Sequence, residues 1–198
     1  MSNAAATTAK KSRTSLWLLA AVCIAPVVAS YIAYYFWRPA GHVNYGELLP
    51  PKPMPDPAVT LVDGTPFRLS ALKNKWVLLV AQPGGCDPYC QQQLIYLRQL
   101  RLAQGKESDR VERVWLVIDN AMPDPKLLAD FPGMYTVRAA ATPLVAALPA
   151  PRTPADHIYI VDVLGNLMMR YPRDADPRKM LKDIARLLRH SKWSSDDS

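Results

Sequence analysis

The chain has no Ser/His/Asp set, no phosphate-binding glycine loop and no HExxH pair. These absences exclude serine-type hydrolysis, P-loop nucleotide chemistry and HExxH-type zinc peptidase chemistry. Lysines and arginines are not gathered into a dense patch interleaved with aromatics, so nucleic-acid binding has no footprint. Cysteine is scarce, with three in 198 residues, at positions 23, 86 and 90. Charge is missing altogether from Leu16 to Trp37, a run of 22 positions. The net charge of +7 decides little, because Lys10, Lys11 and Arg13 supply three of the positive charges at one end.

The uncharged run, SLWLLAAVCIAPVVASYIAYYFW at 15–37, is long enough at about 1.5 Å per residue to cross a hydrocarbon core of about 30 Å. Trp17 at one end and Tyr31, Tyr34, Tyr35 and Trp37 at the other sit where interfacial aromatics belong. A cleaved signal peptide would need a shorter apolar core, and the run continues past the small-residue site VAS at 28–30. A lipidated Cys23 would want a small residue before it, where Val22 stands; Cys23 reads as a small apolar residue of the span. Three basic residues precede the span and Arg38 alone follows it directly. The expectation is therefore a bacterial inner-membrane anchor with the N-terminus cytoplasmic and the remainder in the periplasm. In that oxidising space a disulfide between Cys86 and Cys90 is permitted.

The expected organisation is a basic tail at 1–14, a transmembrane helix at 15–38, a Pro-rich linker at 39–58, one domain at 59–190 and a polar tail at 191–198. The linker carries six prolines and His42, an isolated ligand candidate. Within the domain, VTLVDGTPFRLSAL (59–72) has a hairpin signal at Asp63-Gly64. KWVLLVAQ (75–82) and VERVWLVID (111–119) read as central strands buried on both faces. PYCQQQLIYLRQLRLAQGK (88–106) places Cys90, Leu94, Leu97 and Leu100 at helical spacing, with Pro88 in the first turn. DPKLLADF (124–131) is a short helix opened by Asp124 and Pro125, and HIYIVDVLGNLMMRYP (157–172) is a late hairpin. DPRKMLKDIARLLRH (176–190) is an amphipathic helix, while 133–156 reads as one short strand followed by a loop or helical insertion. Strand, helix, strand, helix, hairpin, helix, with two cysteines at the first strand-to-helix junction, is α/β architecture of thioredoxin-like type.

A cysteine at a helix N-terminus meets free amide donors and the positive end of the dipole, both of which favour thiolate. Asp87, between the two cysteines, opposes that effect with its negative charge. In a regular helix, residues four apart have Cβ atoms about 5–6 Å apart, whereas a disulfide wants about 3.8 Å. The spacing therefore leans toward a metal-competent dithiol that can also oxidise, with Cu(I) or Zn(II) the ions such a pair selects. A fixed disulfide that rigidifies the loop is the plainer alternative. Met122 and Met134 are further soft donors, though isolated methionines are ordinarily packing.

DGTPFRLSALKNKWVLLV, CDPYC, VERVWLVID and DHIYIVDVLGNLMMRYP together resemble the SCO/SenC family of membrane-anchored cytochrome c oxidase assembly proteins, over roughly 59–190. The resemblance implies a thioredoxin fold, one copper held by two cysteines and a histidine, and a part in building the oxidase copper centre. On this chain those ligands would be Cys86, Cys90 and His157. Two departures are visible. Gln91 stands where the family usually has proline after the motif. The ligand histidine of the family precedes the strand tyrosine by five positions, whereas His157 precedes Tyr159 by two and Pro154 occupies the equivalent place. An odd offset turns His157 to the other face of a regular strand. Pro154 is also a candidate for the proline that thioredoxin folds set beside their cysteines.

The function expected is a membrane-tethered assembly factor for cytochrome c oxidase. It would meet an oxidase subunit or another copper or thiol protein, and handle copper or the thiol state of the copper site through Cys86 and Cys90. The alternatives are a periplasmic thiol–disulfide oxidoreductase and a non-catalytic docking module of thioredoxin-like fold.

Overall fold

The computed structural model describes residues 13–36 and 44–193. The expectations placed on Lys10, Lys11, Trp37, Arg38 and His42 lie outside the described residues. The chain divides into two compact units at residues 42/43. The first contains α1 (Arg13–Phe36), with Pro26 inside it. Its segment Trp17–Tyr35 is long and apolar enough to cross a membrane. Tyr31 stacks on Tyr35 at 6.2 Å, and Tyr34 meets Tyr35 edge-on, so the aromatic cluster is confined to the C-terminal end.

The second unit is a sheet of eight strands: β1 (Glu47–Pro53), β2 (Val59–Leu61), β3 (Pro66–Phe67), β4 (Trp76–Gln82), β5 (Val111–Val117), β6 (Tyr135–Arg138), β7 (Ile158–Val161) and β8 (Asn166–Arg170). Their spatial order is β1-β8-β7-β4-β5-β6-β2-β3. β4, β5 and β6 run parallel, and β7 joins β4 antiparallel on the other side. All seven residues of β4 are buried, as a strand covered on both faces requires.

Alternation divides the core into two layers. Trp76, Leu78, Val80, Val111, Trp115, Ile158 and Ile160 face one side. There they meet Cys90, Leu94, Leu97 and Leu100 of α2 (Pro88–Leu102) and Met180, Ile184 and Leu188 of α5 (Pro177–Trp193). Val77, Leu79, Val114, Leu116, Tyr159 and Val161 face the other, where Leu69, Leu72, Leu144, Leu148 and Met54 cover them. Each fully buried Leu of this set contributes about 1.5–3 kcal/mol over exposure.

The expected linker at 39–58 is corrected by β1, which pairs antiparallel with β8 over residues 47–53. Pro50, Pro51 and Pro53 hid it, because proline gives nothing to a central ladder. An edge strand tolerates them, and the register shifts between Leu48 and Lys52. Arg170 of β8 clamps Glu47 with Nε and Nη2 at 2.7 and 3.0 Å. Asp183 of α5 accepts from the backbone N–H groups of Tyr45 and Gly46, both at 2.9 Å, which fixes where the chain enters this unit. The segment 133–156 holds β6, the short α4 (Pro143–Ala146) and a 3-10 turn at Pro154–Asp156. The 124–131 stretch forms α3 (Pro125–Ala129), with the Asp124 carboxylate accepting from the Lys126 N–H at 2.9 Å. α5 continues to Trp193, past the expected start of the polar tail.

Candidate functional site

β4 ends at Gln82, and Pro83-Gly84-Gly85-Cys86-Asp87 leads into α2. Two constraints shape this loop. The Gly84 N–H donates to Asp119 Oδ1 at 2.8 Å, and a Cβ on Gly84 would collide with the Ala121 carbonyl oxygen. The backbone of the 119–122 loop therefore presses against a residue that must be glycine. Asp119 also accepts from the Ala121 N–H at 3.3 Å, so it acts as the turn residue its place at a strand end suggests.

Cys86 and Cys90 are joined by a disulfide, with their Cα atoms 5.1 Å apart. The helical spacing argument fails here for a local reason. Asp87 is the N-cap, its carboxylate accepting from the Cys90 N–H at 2.8 Å, and Pro88 is the first helical residue. Cys86 thus lies ahead of the helix in non-helical backbone, free to turn its sulfur onto Cys90. The Gln91 side chain donates to the Cys86 carbonyl at 3.1 Å. Proline at that position would forfeit the contact, so the departure at residue 91 has a structural role. Cys86 is 5% exposed and Cys90 1%, beneath a loop whose Pro83, Gly85, Asp87 and Pro88 are exposed. Asp87 draws the Cys90 amide away from any sulfur and adds negative charge beside the pair, both of which disfavour thiolates.

A polar network, not foreseen from the sequence, backs the pair. Gln82, on the cysteine face of β4, donates to the Ala155 carbonyl at 2.6 Å and to Gln93 Oε1. Gln93 donates to the Tyr89 hydroxyl at 2.9 Å, and that hydroxyl's one proton is shared between the Asp156 and Arg173 carbonyls, 3.1 and 3.0 Å away. The buried Asp156 carboxylate pairs with Arg173 at 2.7 Å and with Arg152 at 3.2 Å. Arg173 also lies 4.6 Å from the Tyr89 ring centre. Burial pushes the Tyr89 hydroxyl above its ordinary pKa, keeping it a neutral donor. The one signal in the sequence was the i, i+4 pair Tyr89 and Gln93 behind the cysteines. Pro154 takes part through its neighbour, since it opens a trans 3-10 turn that presents the Ala155 carbonyl.

His157 is not brought to the cysteines, and its assignment as a third ligand is corrected. Its backbone is extended, so its side chain shares a face with Tyr159, opposite the cysteine layer. The two rings meet edge-on at 5.9 Å. Nδ1 lies 2.8 Å from the Tyr171 carbonyl oxygen, which only accepts, so Nδ1 carries the proton. Among the described residues no group of three His, Cys, Asp or Glu side chains is placed to hold a metal ion. With both sulfurs bonded to each other and the imidazole on the far face, the residues present do not fit a three-ligand copper centre. Met122 is exposed, its sulfur accepting from Arg138 Nη2 at 3.1 Å; Met134 packs against the cysteine-side core.

The fold is shared with solved proteins of both kinds named in the sequence reading. ScoI of Bradyrhizobium japonicum, solved with copper bound, superposes with a TM-score of 0.54 at 18% identity, over 69% of this chain and 99% of that one. Apo Sco1 of Thermus thermophilus gives a TM-score of 0.54 at 21% identity, over 76% and 98%. A thiol:disulfide interchange protein of the thioredoxin family from Chlorobium tepidum gives 0.54 at 20%, over 71% and 98%. At these identities the likeness establishes the thioredoxin-like fold. No curated protein sequence matches the chain. The family model for a transmembrane-like, thioredoxin-like C-terminal domain matches residues 76–191, from the start of β4 into the last turns of α5. The chain belongs to this transmembrane-like, thioredoxin-like family.

Proposed function

We propose that the chain is a membrane-tethered dithiol–disulfide exchange protein whose client is the cysteine pair of a copper site, that of cytochrome c oxidase. One observation carries the proposal: Cys86 and Cys90 close a disulfide at the β4–α2 junction, beneath an exposed loop and backed by a part-buried polar network. In the reduced chain, the outer sulfur, Cys86, attacks one sulfur of the client disulfide as thiolate. A mixed disulfide forms, and the second client sulfur leaves and takes a proton. Cys90, deprotonated, then attacks Cys86, which breaks the intermolecular bond and releases the other client sulfur. The client gains two electrons and two protons, and the chain ends with the Cys86–Cys90 bond that the structure contains.

α1 would hold this chemistry at the inner membrane of a bacterium, N-terminus inward and the thioredoxin-like unit in the periplasm. Tethering raises the effective concentration beside a membrane-embedded client. A second reading, favoured by the copper-bound structural neighbours, is that the reduced pair takes Cu(I) as cargo on two thiolates alone. The test is to mix the reduced full chain, in detergent, with an oxidised peptide bearing the client's cysteine pair and to follow both thiol states. Stoichiometric transfer, lost in the Cys86→Ser/Cys90→Ser variant, supports the proposal. Absence of transfer, together with complementation of a deletion strain by the double variant, leaves only docking. Tight Cu(I) binding without transfer selects the second reading.

A further inference from the structure

β5 is apolar on the α2 side except at Arg113, which is 4% exposed and shares its face with Val111 and Trp115. A guanidinium brings five N–H donors and a fixed charge. Nη2 donates to the Pro132 carbonyl, whereas Nε is buried without a partner. Among the described residues no carboxylate pairs with Arg113. The side chains gathered at its head are two more arginines: Arg98 and Arg101, one turn apart on α2, line a cleft of about 190 Å³ with Arg113, Leu102 and Pro132. That is several times the ~30 Å³ share of one liquid water.

Each outer arginine is held at its rim. Arg98 Nη1 donates to the Asp130 carbonyl at 2.9 Å, and its guanidinium lies 5.1 Å from the Phe131 ring centre. Arg101 Nε donates to the Val111 carbonyl at 2.8 Å. Among the described residues, the one carboxylate that pairs with the trio is Asp109, 3.6 Å from Arg101 Nη2 and 89% exposed. Glu112 favours the Arg113 charge from the opposite strand face. Even so, burial and the two facing arginines hold the Arg113 guanidinium below its ordinary pKa. Like charges at i, i+3 repel, and a buried cation without a counter-ion is costly. Carbonyl oxygens offset part of this, and an anion in the cleft would offset the rest.

We propose that the Arg98–Arg101–Arg113 cleft binds an oxyanion of the phosphate class, with the unpartnered Arg113 Nε as its innermost donor. Planar guanidinium forks match the paired oxygens of such a group. The site lies at the C-terminal half of α2, away from the Cys86–Cys90 junction, and does not rest on the exchange reading. A free phosphate and the headgroup phosphate of an acidic lipid present the same oxygens.

The full chain in dodecyl maltoside is titrated calorimetrically with inorganic phosphate and, separately, with phosphatidylglycerol in mixed micelles. Wild type, Arg98→Gln and Arg113→Gln are compared, with circular dichroism to verify folding. Saturable one-to-one binding of either probe, weakened about tenfold or more in each folded variant, is the expected result. Response to inorganic phosphate identifies a free-anion site, and response to phosphatidylglycerol alone a lipid site. No saturable binding of either probe overturns the proposal. So does binding that Arg98→Gln leaves unchanged; that side chain is half-buried at the rim, so the variant stays informative should Arg113→Gln fail to fold.

Discussion

The two faces of the sheet end differently at the same level. At the C-terminal end of β4 one face delivers Gln82 to a disulfide and a chain of amide, hydroxyl and carbonyl groups. At the start of β7 the other face delivers His157 to a tyrosine ring and a backbone carbonyl. Both places hold residue types that ligate soft metals, but only the first holds a sulfur–sulfur bond, buried beneath an exposed loop. A one-residue step along a strand exchanges faces, so a histidine nearby in sequence becomes a packing residue.

The comparison breaks most completely at the cysteines. The Cys86→Ser/Cys90→Ser variant should lose all exchange with the client peptide. It should also lose about 2 kcal/mol of stability, the loop-entropy value for so short a closed loop, measured by urea unfolding. Asp183→Ala strips one buried and one half-buried N–H group of their acceptor and should cost about 3 kcal/mol in the same assay, with the exchange rate per folded molecule retained.

His157→Ala sharpens the contrast directly. It should destabilise the unit by about 1–3 kcal/mol through the lost Tyr171 contact and the space left behind, yet leave the Cys86–Cys90 reduction potential where it was. A potential that moved with His157 would mean the two faces are coupled. The smallest effect is expected at Asp87→Asn, which retains a capping side chain while removing the charge between the sulfurs. Thiolates then form more readily, the reduced state gains, and the potential in a glutathione redox series should rise by about 10–20 mV.

Much of this architecture is legible along the chain. The runs at 75–82 and 111–119 read as covered strands, which the fold places at 76–82 and 111–117, and the leucine spacing after Cys90 and the pattern of 176–190 are helical. The hairpin at 157–172 is signalled by Leu164-Gly165-Asn166. β1 was concealed because three prolines read as linker until an edge place on β8 is available to them. The network from Gln82 to Arg173 was concealed because its members are far apart in sequence and touch only once β4, α2 and the 154–156 turn converge.

By itself the sequence determined the apolar N-terminal helix, the thioredoxin-like order of strands and helices, and a cysteine pair at the first strand-to-helix junction. Each of these follows from local composition and periodicity. Tertiary structure decided that Cys86 precedes its helix and closes onto Cys90, that His157 turns away, and that the buried Arg113 lines one cleft with two other arginines. Those outcomes depend on which face a strand presents and which loop caps which helix, quantities fixed only when distant segments pack.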